Sequence, residues 1–266
     1  MENKNNNRSE LLGSAPITSL MIKFAVPSII AMLVGALYNI VDQLFIGHAV
    51  GQLGNAATNI AFPFSTSCLS LALLFGIGGA SCFNLNMGRG EREKAPYFVG
   101  NATVMMLICG AVLLVVTQIF LTPLLKLFGS PAEVLPLAEE YVRITSLGFP
   151  FMIITTGGGH LIRADGNPKM TMVCNLLGAG INTVLDALFV LGFDWKMSGA
   201  AWATVIGQVI SGTVAIVCIA RYKTVCLEAK HLRIRWQYTS RIIAIGMASF
   251  FNQIAMMVVQ IAMNNR

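Results

Sequence analysis

Of the 266 residues, 55% are hydrophobic and only 11% charged, and the mean hydropathy is +0.70. A soluble domain carries about 25% charged residues, so a soluble globular fold is excluded. The net charge of +6 does not mark a nucleic-acid partner, because the basic residues lie in particular loops between apolar runs. Six scattered cysteines show neither a CxxC nor a metal-ligand spacing, which argues against disulfides and structural zinc.

Residues 1–19 are polar and Asn-rich and read as a disordered cytoplasmic tail. Apolar segments follow at 20–46, 58–87, 97–121, 134–161, 170–192, 198–220 and 242–263, each long enough to cross a bilayer as a helix. The first is not a cleaved signal: it is too long, contains Pro27 and Asp42, and lacks a small-residue cleavage site. Pro27 removes a backbone hydrogen bond and crowds the preceding turn, so it predicts a bend. Gly76 and Ala80 in the second segment predict close helix approach. Gly199, Ala203, Gly207 and Ser211 in the sixth predict the same.

Residues 20–222 thus form a lobe of six helices, and the connection 223–241 leads to a seventh within 242–266. The start of that seventh helix, Ile245–Phe251, loosely echoes Phe24–Ile30. An internal repeat of this kind suggests a chain that belongs to a longer, two-lobed protein.

Loop charge gives the orientation. The N-terminal flank and the second, fourth and sixth connections hold fourteen Lys and Arg, from Lys4 to Arg241. The alternate connections hold two, Lys126 and Lys196. Positive charge collects on the cytoplasmic side, so the N-terminus is expected there. Arg143, inside the fourth segment, is expected to pair with Glu139 and Glu140.

With that orientation, Asp42 stands five residues before Gly47 at the outer end of the first segment. Asp186 is six before Gly192, and Thr204 six after Ser198. At about 1.5 Å per residue, all three lie roughly 8–9 Å below the outer boundary. Asn182 shares the Asp186 face one turn deeper, and Tyr38 shares that of Asp42. A carboxylate at mid-helix costs about 2.5–3.5 kcal/mol on insertion scales, and no Lys or Arg shares this depth. Each aspartate could satisfy a helix-packing hydrogen bond, but such a pair more often faces a water-filled cavity or an ion path. Two carboxylates, an amide oxygen and a hydroxyl are hard donors suited to a small cation. Held close together, two carboxylates also share a proton readily. His48 and His160 lack ligand partners, so metal binding is not expected at them.

The run Tyr38-Asn-Ile-Val-Asp42-x-x-Phe-Ile-Gly47 after Pro27, the loop Leu161-Ile-Arg-Ala-Asp-Gly-Asn-Pro168, and Asn182-x-x-x-Asp186-x-x-Phe189 followed by Gly199-Ala-Ala-x-Ala-Thr204 together resemble the multidrug and toxic compound extrusion family. The resemblance implies an all-α membrane protein whose first lobe is a six-helix bundle, with the seventh helix opening a second lobe. It implies a Na⁺- or H⁺-coupled antiporter in the cytoplasmic membrane, working as a monomer without cofactor, that exports amphiphilic or cationic compounds. It assigns coupling-cation binding to Asp42, Asn182, Asp186 and Thr204, places Tyr38 beside them, and puts the bend of the first helix at Pro27.

A lipid-linked oligosaccharide flippase is the alternative, but it would place several basic residues in its cavity for pyrophosphate. A membrane enzyme would need a catalytic set, and the loops hold no DDxxD, HExxH or GxSxG. The orientation is directly testable. In a cysteine-free background, Leu53→Cys should react with an impermeant maleimide in intact cells, and Arg92→Cys only after permeabilisation. The opposite pattern would invert the topology.

Overall fold

The computed structural model describes residues 16–264. Nine α-helices follow in order among them: α1 (Ile17–Val50), α2 (Gln52–Gly88), α3 (Ala95–Ile119), α4 (Leu121–Leu127), α5 (Leu135–Thr145), α6 (Phe149–Ala164), α7 (Pro168–Asp186), α8 (Lys196–Ala220) and α9 (Trp236–Asn264). A π-helical turn, Ala187–Gly192, prolongs α7, and 3-10 turns occupy Ser146–Gly148 and Ala229–Leu232. Six helices are long and apolar enough to cross a membrane. With the fourth apolar segment this makes a six-helix bundle and a seventh helix against it. Of the residues read as a tail, 1–15 lie outside those described, and α1 begins at Ile17.

The fourth segment is not one helix. It breaks at Ser146–Gly148, and α6 restarts with Pro150 in its first turn, where a missing N–H does no harm. Gln118 of α3 covers the break, its Nε2 donating to the Arg143 carbonyl and to Ser146 Oγ, both at 2.8 Å. The apolar composition of 134–161 concealed this, because a break satisfied by a neighbouring helix needs no polar loop. The expected pairing of Arg143 with Glu139 and Glu140 is not formed. Thr122 donates to Glu139 at 2.5 Å and Ser198 donates to Glu140. Hydroxyls from neighbouring elements reach these carboxylates, and Arg143 stays exposed.

Between α1 and α2 there is a single residue, Gly51, whose φ of 78° permits an immediate reversal. The central helix is α2, buried along most of its length and packed against α3, α6 and α9. Its small residues let other backbones approach. A side chain at Gly76 would strike the Gly157 backbone of α6 at 2.6 Å. The seventh helix leans on the bundle: Gly78 lies against the Ile242 carbonyl, and Gly246 against that of Leu74. Beyond this seam most of α9 is exposed.

The connection ahead of α9 is ordered by α3, and α9 starts at Trp236, within the stretch read as connection. Fully buried Asn101 supplies the tie. Its Nδ2 faces the carbonyls of Tyr97, His231 and Arg233 at 2.9, 3.3 and 3.2 Å. Its Oδ1 accepts the Arg235 N–H at 2.8 Å and the Thr239 hydroxyl at 3.3 Å. Tyr97 stacks on Tyr238, meets His231 edge-on, and carries the Arg235 guanidinium over its ring at 4.8 Å.

His231 is buried in this connection, and its Nδ1 accepts the Glu228 N–H at 2.9 Å. Burial, then the charge of Lys230, holds its pKa below the ordinary value, which is about 6.5. The unfolded chain therefore binds the proton more tightly, so this contribution to stability is present above about pH 6.5 and lost as pH falls below it. Amide exchange across residues 228–235 should accelerate on acidification from pH 7.5 to 5.5, and His231→Asn should flatten that dependence. An unchanged pH dependence in the variant would remove His231 from this role.

Candidate functional site

The site begins with the packing of α7 on α8. A side chain at Gly207 would stand 2.9 Å from the Gly178 carbonyl oxygen and 3.2 Å from Asn182 Cβ. Ser211, one turn along, packs on Gly178. At this separation the polar side chains of the two helices must meet, and Asn182 Nδ2 donates to Thr204 Oγ1 at 3.2 Å. The helix α1 lies against both. It brings Tyr38 near Thr204 and Asp42 near Asp186.

Four of the expected residues are deeply buried: Asp42 is 6% exposed, Asn182 2%, Asp186 0% and Thr204 6%. Among the described residues, Asp42 Oδ1, both carboxyl oxygens of Asp186, and Asn182 Oδ1 have no hydrogen-bond partner. Ionised carboxylates only accept hydrogen bonds, so two of them within reach of one another call for a shared proton or a cation between them. An unsatisfied buried polar atom costs about 1–3 kcal/mol. Several oxygen donors left so, side by side, form a site that a small hard cation fits.

A cavity of about 420 Å³ opens beside this group between α1, α2, α7 and α8. Tyr38, Asp42, Asn182 and Thr204 line it, whereas Asp186 lies behind the wall. Asn175 and Gln208 extend the polar lining, and no lysine, arginine or histidine contributes to it among the described residues. Gln43, next to Asp42, exchanges hydrogen bonds with Thr58 of α2 at 3.0 and 3.1 Å, fixing α1 at this level. Pro27 stands apart. It is buried within α1, which runs unbroken through it, and it does not line the cavity.

One member of the group was not among the sequence candidates. Tyr141 of α5 lines the cavity beside Thr204 and Asp42 and lies near Asp186. Its signal was depth. Seven residues in from Val134 at about 1.5 Å each, Tyr141 lies level with Asp42, Asp186 and Thr204. The neighbouring Glu139 and Glu140 made that turn read as membrane surface.

The family model MatE matches residues 27–188, more than half of the chain and both aspartates. The chain belongs to the MatE family. A curated relative, the multidrug export protein MepA of Staphylococcus haemolyticus (strain JCSC1435), is 26% identical over 249 residues, 93% of this chain and 55% of its own length. A solved structure of the MATE multidrug transporter DinF-BH is 32% identical, with a TM-score of 0.88. It is matched over 95% of this chain and 57% of that one. Another, described as a MATE in the bent conformation, is 25% identical with a TM-score of 0.79, over 90% of this chain and 53% of that one. The chain thus spans about half the length of the curated relatives it matches, and within that half it has the MatE fold of a multi-pass membrane protein.

The unpaired oxygens make a stability prediction for this MatE chain. Replacing a structural hydrogen-bonding group costs about 1–3 kcal/mol, whereas neutralising an uncompensated buried carboxylate removes its desolvation cost. Asp42→Asn and Asp186→Asn should each leave thermal unfolding in detergent unchanged or move it upward in cation-free buffer. A clear loss of stability in both would make the aspartates structural.

Proposed function

We propose that this chain supplies the cation-binding lobe of a Na⁺- or H⁺-coupled antiporter that exports amphiphilic, cationic compounds from the cytoplasm. The observation that carries the proposal is the group of unpartnered oxygens on Asp42, Asp186 and Asn182 at the wall of a polar cavity. Asp42 and Asp186 hold the coupling cation, with Asn182 and Thr204 completing the donor set and Tyr38 beside them. The lining favours cationic cargo over a pyrophosphate-linked lipid, because no basic side chain faces the cavity among the described residues. MepA, which is described as a multidrug export protein, supports the same class of cargo.

Coupling then follows from electrostatics. A cationic compound near Asp42 disfavours a second cation at the pair, and linkage makes the effect reciprocal. The entering ion is drawn toward the cytoplasm by about 2.3 kcal/mol per 100 mV. Filling the pair removes the repulsion between two carboxyls, one on α1 and one on α7, and so changes how α1 sits against the bundle. Bending about Pro27 is the proposed response, narrowing the cavity; one solved relative is described as being in the bent conformation.

Two measurements test this. Sodium titration of the purified chain by calorimetry, at pH 7.5 and 5.5, should show binding that is lost in Asp42→Asn and in Asp186→Asn. If Na⁺ does not bind, proton uptake by the wild type and not by the variants is the expected result. In the cells that make the protein, either substitution should abolish export of a cationic dye, and the double variant should be no worse, since the pair acts as one site. Export at the wild-type rate by both single variants would refute the coupling role.

A further inference from the structure

A second cavity, of about 350 Å³, lies at the opposite end of the bundle, between α6, the start of α7 and the end of α8. Its walls are mainly apolar: Ile162, Met170, Val214, Val217 and Cys218. Val217 on its wall is 44% exposed, so the slot reaches the outer surface of α8, a helix long and apolar enough to cross a membrane. Its rim is basic. Arg221 directly follows the last residue of α8, and Lys223 is two residues further on; both line the cavity and both are exposed.

Among the described residues the ion pairs are Lys94–Glu91 and Lys230–Glu228, so neither rim cation is neutralised by a carboxylate. One acidic residue, Asp165, lies on the wall, but its oxygens are engaged. They accept the Lys223 N–H at 3.1 and 3.0 Å, the Thr224 N–H at 2.8 Å and the Thr224 hydroxyl at 2.6 Å. Tyr222 between them donates to the Leu161 carbonyl at 2.8 Å. Asp165 therefore pins the loop that presents Lys223. The cavity at the aspartate pair has acid and no base; this one has apolar walls, free base at the rim and a spent acid.

We propose that this slot binds one anionic phospholipid of the adjoining leaflet, with its phosphate between Arg221 and Lys223 and an acyl chain along Val214 and Val217. The chemistry selects against zwitterionic lipids, whose ammonium group would meet the same two cations. Depth agrees with this, because a basic pair at the end of a spanning helix sits at headgroup level. The proposal does not depend on what the aspartate pair binds.

Native mass spectrometry of the purified chain, titrated with phosphatidylglycerol and with phosphatidylcholine, provides the test. One phosphatidylglycerol should be retained in preference to phosphatidylcholine. Arg221→Gln/Lys223→Gln should weaken retention more than about tenfold, the loss expected for two interfacial basic residues. Arg89→Gln/Arg92→Gln removes equal charge from another loop and should not. Val217→Trp, which fills the slot and keeps both charges, should also release the lipid. The proposal fails if the rim variant or Val217→Trp binds like wild type, if the two lipids are retained equally, or if excess inorganic phosphate displaces the lipid.

Discussion

The contact on which the site depends is made by backbone. Where Gly207 of α8 lies against the Gly178 carbonyl of α7, neither helix has a side chain to hold the other away. Lipid tails are as apolar as leucine, so packing must supply what the hydrophobic effect supplies in water. Small residues on this seam give that contact, and its closeness lets short side chains meet. Asn182 reaches Thr204 only because the two helices approach so nearly. The same device recurs where Gly76 of α2 meets Gly157 of α6, and at Gly78 and Gly246 between α2 and α9.

With the helices placed, electrostatics separates the two ends of the bundle. At one end acidic and amide oxygens remain unmatched, in surroundings that supply no base. At the other, Asp165 is fully engaged and the arginine and lysine beside it are not. Both arrangements leave charge uncompensated by protein, but of opposite sign and at different depth. A buried unmatched carboxylate asks for an ion, whereas an unmatched cation at headgroup level already has phosphate within reach.

In the sequence, Asn182 was placed by sharing the Asp186 face and by the family resemblance. The order of apolar segments and the possible meeting of Asp42, Asp186 and Thr204 were legible there for one reason. Helical rise converts residue number into depth, and depth is a strong filter in a membrane. Tyr141 obeys the same arithmetic but was hidden by the glutamates next to it. The break at Ser146–Gly148 was invisible because its satisfaction comes from Gln118, more than a helix away in sequence. Asn101 left no trace for a similar reason: one asparagine in an apolar run gives no hint that it gathers residues 231–239. Arg143 illustrates the converse. Its spacing from Glu139 and Glu140 suited a pair, but Thr122 and Ser198, from other elements, reached the carboxylates.

The single-residue link at Gly51 has a mechanical consequence. Val50 ends α1 and Gln52 begins α2, so the outer ends of the two helices are joined without slack. Two hydrogen bonds between Gln43 and Thr58 add a second fastening two turns along. The far part of α1 is largely exposed on its outer face. The outer part of α1 is thus clamped, with Asp42 at the clamp. Pro27 is 42 − 27 = 15 residues away, about 22 Å along the axis at the helical rise. Any small rotation at the clamp would be magnified with distance along the helix, so the displacement would be largest at the end furthest from Asp42.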